Sequence, residues 1–301
     1  MAFDLPLGRR VGGWVKLILS RKGFDSAAGG VPSPIFPDGG ILSLPIPDPC
    51  SPITYGDISY PEGCLASLVF DLTGGRIPPY YGAHLDPDLV ADSLPRLPGW
   101  RGVFGQTGPA QGHLRNHKVG PGDLFLFFGL FHRVEKRQGS YRRVWGRRPY
   151  HLIWGWLQVA EVLYLGTVRP AGYDWAAYHP HWHRGPDPNN VLYIAQPHLN
   201  LDGLPGGLPG AGTFSHFSPD RQLTASHADR VSTWELPGWF YPGENRQPLT
   251  YHGDPGRWQP AEILTRLRSV TRGQEFVLDC HQYPEAIPWA WHLIRSNATA
   301  F

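Results

Sequence analysis

The chain of 301 residues carries 27 Lys and Arg against 25 Asp and Glu, a net charge of +2, and only 17% of its residues are charged. A chain this long buries a substantial core, which excludes a disordered protein, and so weak a positive balance excludes a strongly basic nucleic-acid domain. The 37 Gly and 32 Pro form no repeat, so they mark turns and long loops in a strand-rich fold.

The run from Trp14 to Ser20 reads as a buried strand. Behind it, SRKGFDSAAGG sets Lys22, Asp25 and Ser26 among glycines, and Asp38 follows in VPSPIFPDGG. A phosphate loop needs its Lys and hydroxyl after the second glycine and a helix behind them, and neither is present. Two readings stay open for these polar groups: a ligand site beside a strand end, or a turn in which Asp25 and Ser26 bond neighbouring amides. ILSLPIP (41–47) reads as an edge strand limited by its prolines, and CLASLVFDLTGG as a strand or a short helix.

Asp86–Leu94 reads as a short helix capped by Asp86 with a proline in its first turn. The same HLDPDL motif places His84 and Asp86 two residues apart, which, with a distant His, is the ligand set of a facial-triad iron site. Further on, GPGDLFLFFGLF is a turn and a strand, and HLIWGWLQVAEVLYLG a long kinked strand, with Gly129 and Gly155 as bulges bending both into a barrel. Between them, Arg133–Arg148 carries seven Lys and Arg against one Glu, with Tyr141 and Trp145 interleaved. This is either a solvated hairpin or a contact for a phosphate backbone through residues such as Arg142 and Arg143.

YHPHWHRG holds the densest titratable cluster, His179, His181 and His183. On an extended strand the three imidazoles would share one face and chelate Zn, Fe or Ni; Pro180 argues for a loop instead, and for polar or phosphate contact. His113, His117 and His132 are further candidates. NVLYIA and QEFVLDC read as short strands, Asn200–Gly212 as a loop, and PAEILTRLR as an amphipathic helix. Cys50, Cys64 and Cys280 form no C-x-x-C pair and fit a reduced, cytoplasmic setting. Met1–Arg10 has no apolar leader segment, the apolar run Leu124–Phe131 is too short to span a bilayer, and the SNATAF tail is assigned no role. Hydrolase, zincin, dehydrogenase and zinc-deaminase motifs are missing.

The segment GVFGQTGPAQGHLRNHKVGPGDLFLFFG with HLIWGWLQVAEVL resembles the PUA-like superfamily in its EVE and ASCH branches. That resemblance implies a small β-barrel near 101–166 whose pocket could hold a base; the composition and the unbroken character of the chain around 200–212 make the whole one α+β domain of residues 1–301, elaborated by Gly/Pro-rich loops and a few helices. Across nearly its whole length the chain resembles the nucleotide modification associated domain 3 family, through SRKGFDSAAGGVPSPIFPDGG, HLDPDL, FGQTGPAQGHL, GWLQVAEV and QEFVLDC. The resemblance implies a bacterial or phage setting beside other DNA-modification enzymes, and passes suspicion to Asp25, Ser26, Asp38, His84, Asp86, Gln106 and His113.

Three functions follow as expectations. The first is an enzyme modifying a nucleic-acid base or nucleotide, with Asp25, His84, Asp86 and His113 as catalytic groups. Lys22, Ser26, Asp38, Gln106, Gln111, His132, Arg142 and Arg143 would contact substrate, and an Fe or Zn ion would sit on His179, His181 and His183. The second is a non-catalytic reader that stacks a modified or flipped base against Trp100, Phe104, Phe131 or Trp154. The third is an assembly subunit without a ligand.

Overall fold

The structure, a computed structural model, describes residues 15–166 and 168–297. Met1–Arg10, Trp14 of the expected first strand and the last four residues of the chain lie outside the described residues.

In chain order the strands begin with β1 (Lys16–Arg21), β2 (Ser33–Ile35), β3 (Ile46–Pro47) and β4 (Ser59–Tyr60). They continue with β5 (Gly63–Cys64), β6 (Ala83–His84), β7 (Val103–Gln106) and β8 (Leu124–Arg137). Then come β9 (Ser140–Arg143), β10 (Tyr150–Tyr164), β11 (Val191–Ala195) and β12 (Ala211–Thr213). The last are β13 (Thr233–Pro237), β14 (Trp258–Gln259), β15 (Leu264–Arg268) and β16 (Glu275–Asp279). The α-helices are α1 (Leu65–Thr73), α2 (Gly108–Asn116) and α3 (Ala286–Asn297). None of the described helices is long and apolar enough to cross a membrane.

A nine-stranded sheet dominates, ordered β16-β1-β8-β10-β11-β7, with β12 on β10 and both β2 and β9 on β8. β1 and β2 run parallel to β8; the other pairs are antiparallel. Leu17, Ile18 and Leu19 of β1 are fully buried, as are Leu124 to Phe127 of β8, so these runs lack polar alternation because both faces are covered. Each such side chain contributes roughly 1.5–3 kcal/mol by leaving water.

The expected barrel does not form among the described residues, for the sheet stays open with β16 at one edge and β7 at the other. Residues 101–166 supply only β7, α2, β8, β9 and β10, and β1, β2, β11, β12 and β16 from before and after this segment complete the sheet. The bulge expected near Gly155 is present, where the β10–β8 register shifts between Ile153 and Gly155. Gly129, in contrast, pairs regularly with Leu152, and its missing side chain admits the carbonyl of Lys22, which would stand 2.6 Å from a Cβ. At the other edge, Asp88 exchanges both backbone hydrogen bonds with Val103 of β7, at 2.8 and 2.9 Å, and so occupies the place a closing strand would take.

Two helix expectations fail. Asp86–Leu94 is extended apart from a 3-10 turn at Ala91–Ser93, because its backbone is committed to β7 and its Asp88 carboxylate to Arg96. The end of PAEILTRLR, Leu264–Arg268, is strand β15, with Thr265 and Leu267 buried and Leu264, Arg266 and Arg268 exposed, a period of two. CLASLVFDLTGG resolves as α1, stopped by Gly74 in the left-handed conformation.

Candidate functional site

The antiparallel step Asp88–Val103 sets Asp86 across from Gly105 at the open edge of the sheet. Gly105 N–H donates to Asp86 Oδ1 at 2.7 Å, which leaves Oδ2 for other partners. His84 sits on β6, opposite Ile46 of β3, and this short ladder brings Asp48 alongside. His84 Nδ1–H donates to Asp48 Oδ2 at 2.7 Å, and its Nε2 lies 3.6 Å from Asp86 Oδ2.

The three histidines of YHPHWHRG are not on an extended strand; Pro180–His183 is a 3-10 turn, so successive side chains spread around an axis and do not share a face. His181 turns inward: its Nδ1–H donates to Asn190 Oδ1 at 2.7 Å, Asn190 Nδ2 donates back to the His181 carbonyl, and His181 Nε2 lies 3.5 Å from Asp86 Oδ2. His179 is also fully buried; its Nδ1 accepts from the backbone N–H of His181, and its Nε2 stands 3.5 Å from Asp86 Oδ1 without making a hydrogen bond. His183 is exposed and bonded to the Ala177 carbonyl, which removes it from the expected chelating set.

His84, Asp86 and His181 thus present ligand atoms that all lie within 4.8 Å of one another. Two atoms bound to one ion at about 2.1 Å with tetrahedral angles are roughly 3.4 Å apart, close to the spacings around Asp86 Oδ2. In its neutral form each imidazole spends its Nδ1 proton on Asp48 or Asn190, which turns a bare Nε2 toward the carboxylate. Burial opposes a charge on His84, but Asp48 and Asp86 outweigh it and push its pKa up to about 9. Burial pushes His181 down to about 3. Burial also opposes charge on Asp86, yet the surrounding imidazoles hold its carboxyl well below the usual range.

This triad opens into a cleft of about 540 Å³ that also exposes Lys22, Gln106, His113 and Glu275. Glu275, on β16 and 1% exposed, accepts from Lys22 Nζ and Gln106 Nε2 at 2.7 Å each, both on Oε1. Its Oε2 is buried without a partner. Lys22 is therefore committed to Glu275, 4.7 Å above the Phe104 ring, instead of being free for a phosphate. His113 on α2 bonds Thr250, packs against Tyr251, and has its pKa lowered by burial and by His117.

Other expected site residues have structural partners. Asp25 lines the cleft, but its Oδ1 accepts from the N–H groups of Ala27 and Ala28, which is the turn reading. Ser26 is exposed on the same turn, and Asp38 closes a separate one by accepting from Gly40 N–H. Gln111 is buried and accepts from the Tyr193 hydroxyl. His132, Arg142 and Arg143 belong to the basic hairpin, away from the residues lining the cleft. The aromatic walls expected of a reader are core residues in the case of Phe104, Phe131 and Trp154, and Trp100 is covered by Arg96. Sequence reasoning missed Glu275, Asp48 and Asn190; a lone Glu facing inward from an apolar strand was the signal available for the first.

The nucleotide modification associated domain 3 family model matches residues 16–279. The chain belongs to this family. The matched span contains every residue of the triad and of the Glu275 cluster, so the domain 3 match and the cleft describe the same body of sequence. No curated protein matches the chain, and no solved structure does.

Proposed function

We propose that the cleft is the active site of a metal-dependent enzyme that modifies a nucleotide or a nucleic-acid base. The observation that carries this reading is the meeting of His84, Asp86 and His181 at the cleft floor, with both rings anchored at Nδ1 by Asp48 and Asn190. The donor set of two imidazoles and one carboxylate suits Fe(II) or Zn(II) and leaves coordination positions open. An ion held there would polarise a bound reactant or activate water.

The chain's own groups supply the rest. Asp48, Asn190 and Gly105 orient the three ligands. Glu275 presents one unpartnered carboxylate oxygen and is the acid–base group of the proposal, with Lys22 and Gln106 fixing its other oxygen. The cleft volume falls within the roughly 300–1,000 Å³ range of small-molecule sites, large enough for a nucleotide. The family description, nucleotide modification, supports the substrate class.

Elemental analysis of the purified protein tests this reading. About one equivalent of Fe or Zn is expected, lost in His84→Ala and His181→Ala and kept in His183→Ala. A metal-free protein under both aerobic and anaerobic purification overturns it and leaves binding without turnover as the function.

A further inference from the structure

The hairpin of β8 and β9 and the loop after it form a second concavity, of about 400 Å³, lined by His132, Arg143, Val144, Trp145, Gly146 and Arg147. Its shape is held by the protein: His132 places its ring nitrogens against the carbonyls of Arg133 and Arg147, at 2.7 and 2.9 Å, and Val144 N–H donates to the Arg133 carbonyl. Gly146 turns the loop in the left-handed conformation.

Several of the charges here are spent. Arg137 pairs with Glu135, Arg148 bonds the Ala228 carbonyl and approaches Asp229, Arg133 covers Phe217, and Lys136 covers Tyr141. Among the described residues the guanidiniums of Arg142, Arg143 and Arg147 have no hydrogen-bond, ion-pair or ring partner, and all three are exposed. Trp145, between them, is 95% exposed. An indole left wholly in water beside unpaired guanidiniums is the combination by which single strands are held, arginines on phosphates and an aromatic face under an unpaired base.

We propose that this loop is a docking surface for a polynucleotide strand, with Arg142, Arg143 and Arg147 on consecutive phosphates and Trp145 stacked on an unpaired base. As a statement about substrate it rests on the cleft being the reacting site, and it makes that substrate polymeric. β8 links the two places: Phe128 pairs with the cleft-lining Arg21, and Val134, six residues on, pairs with Arg143. Six residues of strand span about 20 Å, a reach that a strand of several nucleotides covers and a free nucleotide does not.

The test is fluorescence anisotropy with a labelled 20-nucleotide single-stranded DNA and the corresponding blunt duplex, from 50 to 200 mM NaCl. The proteins are the wild type, Arg142/Arg143/Arg147→Ala, Trp145→Ala and a charge-matched Arg257/Arg266/Arg268→Ala. Each phosphate contact contributes about 0.7 to the slope of log affinity against log salt for single strands, so the hairpin triple should lose about two units of slope and at least tenfold in affinity at 100 mM. Trp145→Ala should weaken the single strand roughly tenfold and the duplex little, with the slope kept. An unchanged slope in the hairpin triple, or an equal loss in the matched triple, overturns the docking surface. No effect of Trp145→Ala overturns the stacking. Metal content measured on the same samples separates the docking surface from the metal site, since loss of the metal reading leaves the binding data intact.

Discussion

Asp86 receives the backbone N–H of Gly105 at 2.7 Å, and the same glycine leaves the space into which the His181 ring is packed. A Cβ on residue 105 would stand 2.4 Å from that ring. Gly105→Ala is therefore expected to displace His181, costing about 1–3 kcal/mol of stability and most of the bound metal. Thermal unfolding and elemental analysis check both parts; a variant with full metal content would show that His181 is not a ligand.

Among the described residues, Asp48 hydrogen-bonds the triad through His84 Nδ1 alone. Asp48→Ala should leave the fold intact and weaken metal affinity about 10- to 100-fold, as removal of a carboxylate behind a ligating imidazole does. Competition with a chelator of known affinity measures this, and an unchanged affinity would place His84 outside the metal site.

Glu275→Gln keeps a partner for Lys22 and Gln106 while removing the free carboxylate oxygen. It should retain its metal and lose roughly 10²- to 10⁴-fold in turnover. Glu275→Ala should also destabilise the fold by about 1–3 kcal/mol, because it removes the acceptor of the part-buried Lys22 ammonium and of the Gln106 amide. A Gln variant with normal turnover would remove Glu275 from the chemistry.

Acid stability follows from histidines outside the cleft. Burial pushes His151 down to about 3 and His252 down to about 4. Unfolded chains protonate both below about 6.5, so stability is complete above that pH and falls from about 6.5 towards about 3. In the metal-free protein His84 acts in the opposite sense: raised to about 9, it stabilises fully below about 6.5, and that contribution is lost as pH rises through 9. Urea midpoints of the metal-free protein at pH 4.5, 6.5 and 9 should be highest at 6.5, and a midpoint rising steadily to pH 9 would contradict the His84 environment.

The strands were legible where apolar runs are long and buried on both sides, as in β1, β8, β10, β11 and β16. β15 was not, because Leu264 and Leu267 fit a helical spacing as well as an alternating one, and the partner strand β13 decides between them. α2 and α3 escaped notice because glycines and prolines at Gly108, Pro109, Gly112 and Pro288 mask them. Of the site, the His84–Asp86 pair was visible as a motif and His181 as one of a cluster. Their union was not, since it depends on the turn at Pro180 and the clamp by Asn190, which no local pattern records.

The pairing of β1 with β16 joins Lys22 to Glu275, 253 residues apart in the chain. During synthesis, His84, Asp86 and His181 leave the ribosome long before Glu275 does. A nascent or prematurely terminated chain would hold the triad but lack Glu275, so on the proposed assignment turnover would wait for β16 to dock. Two separately expressed fragments divided in the loop before Glu275 should then, on the same assignment, turn over substrate only after association.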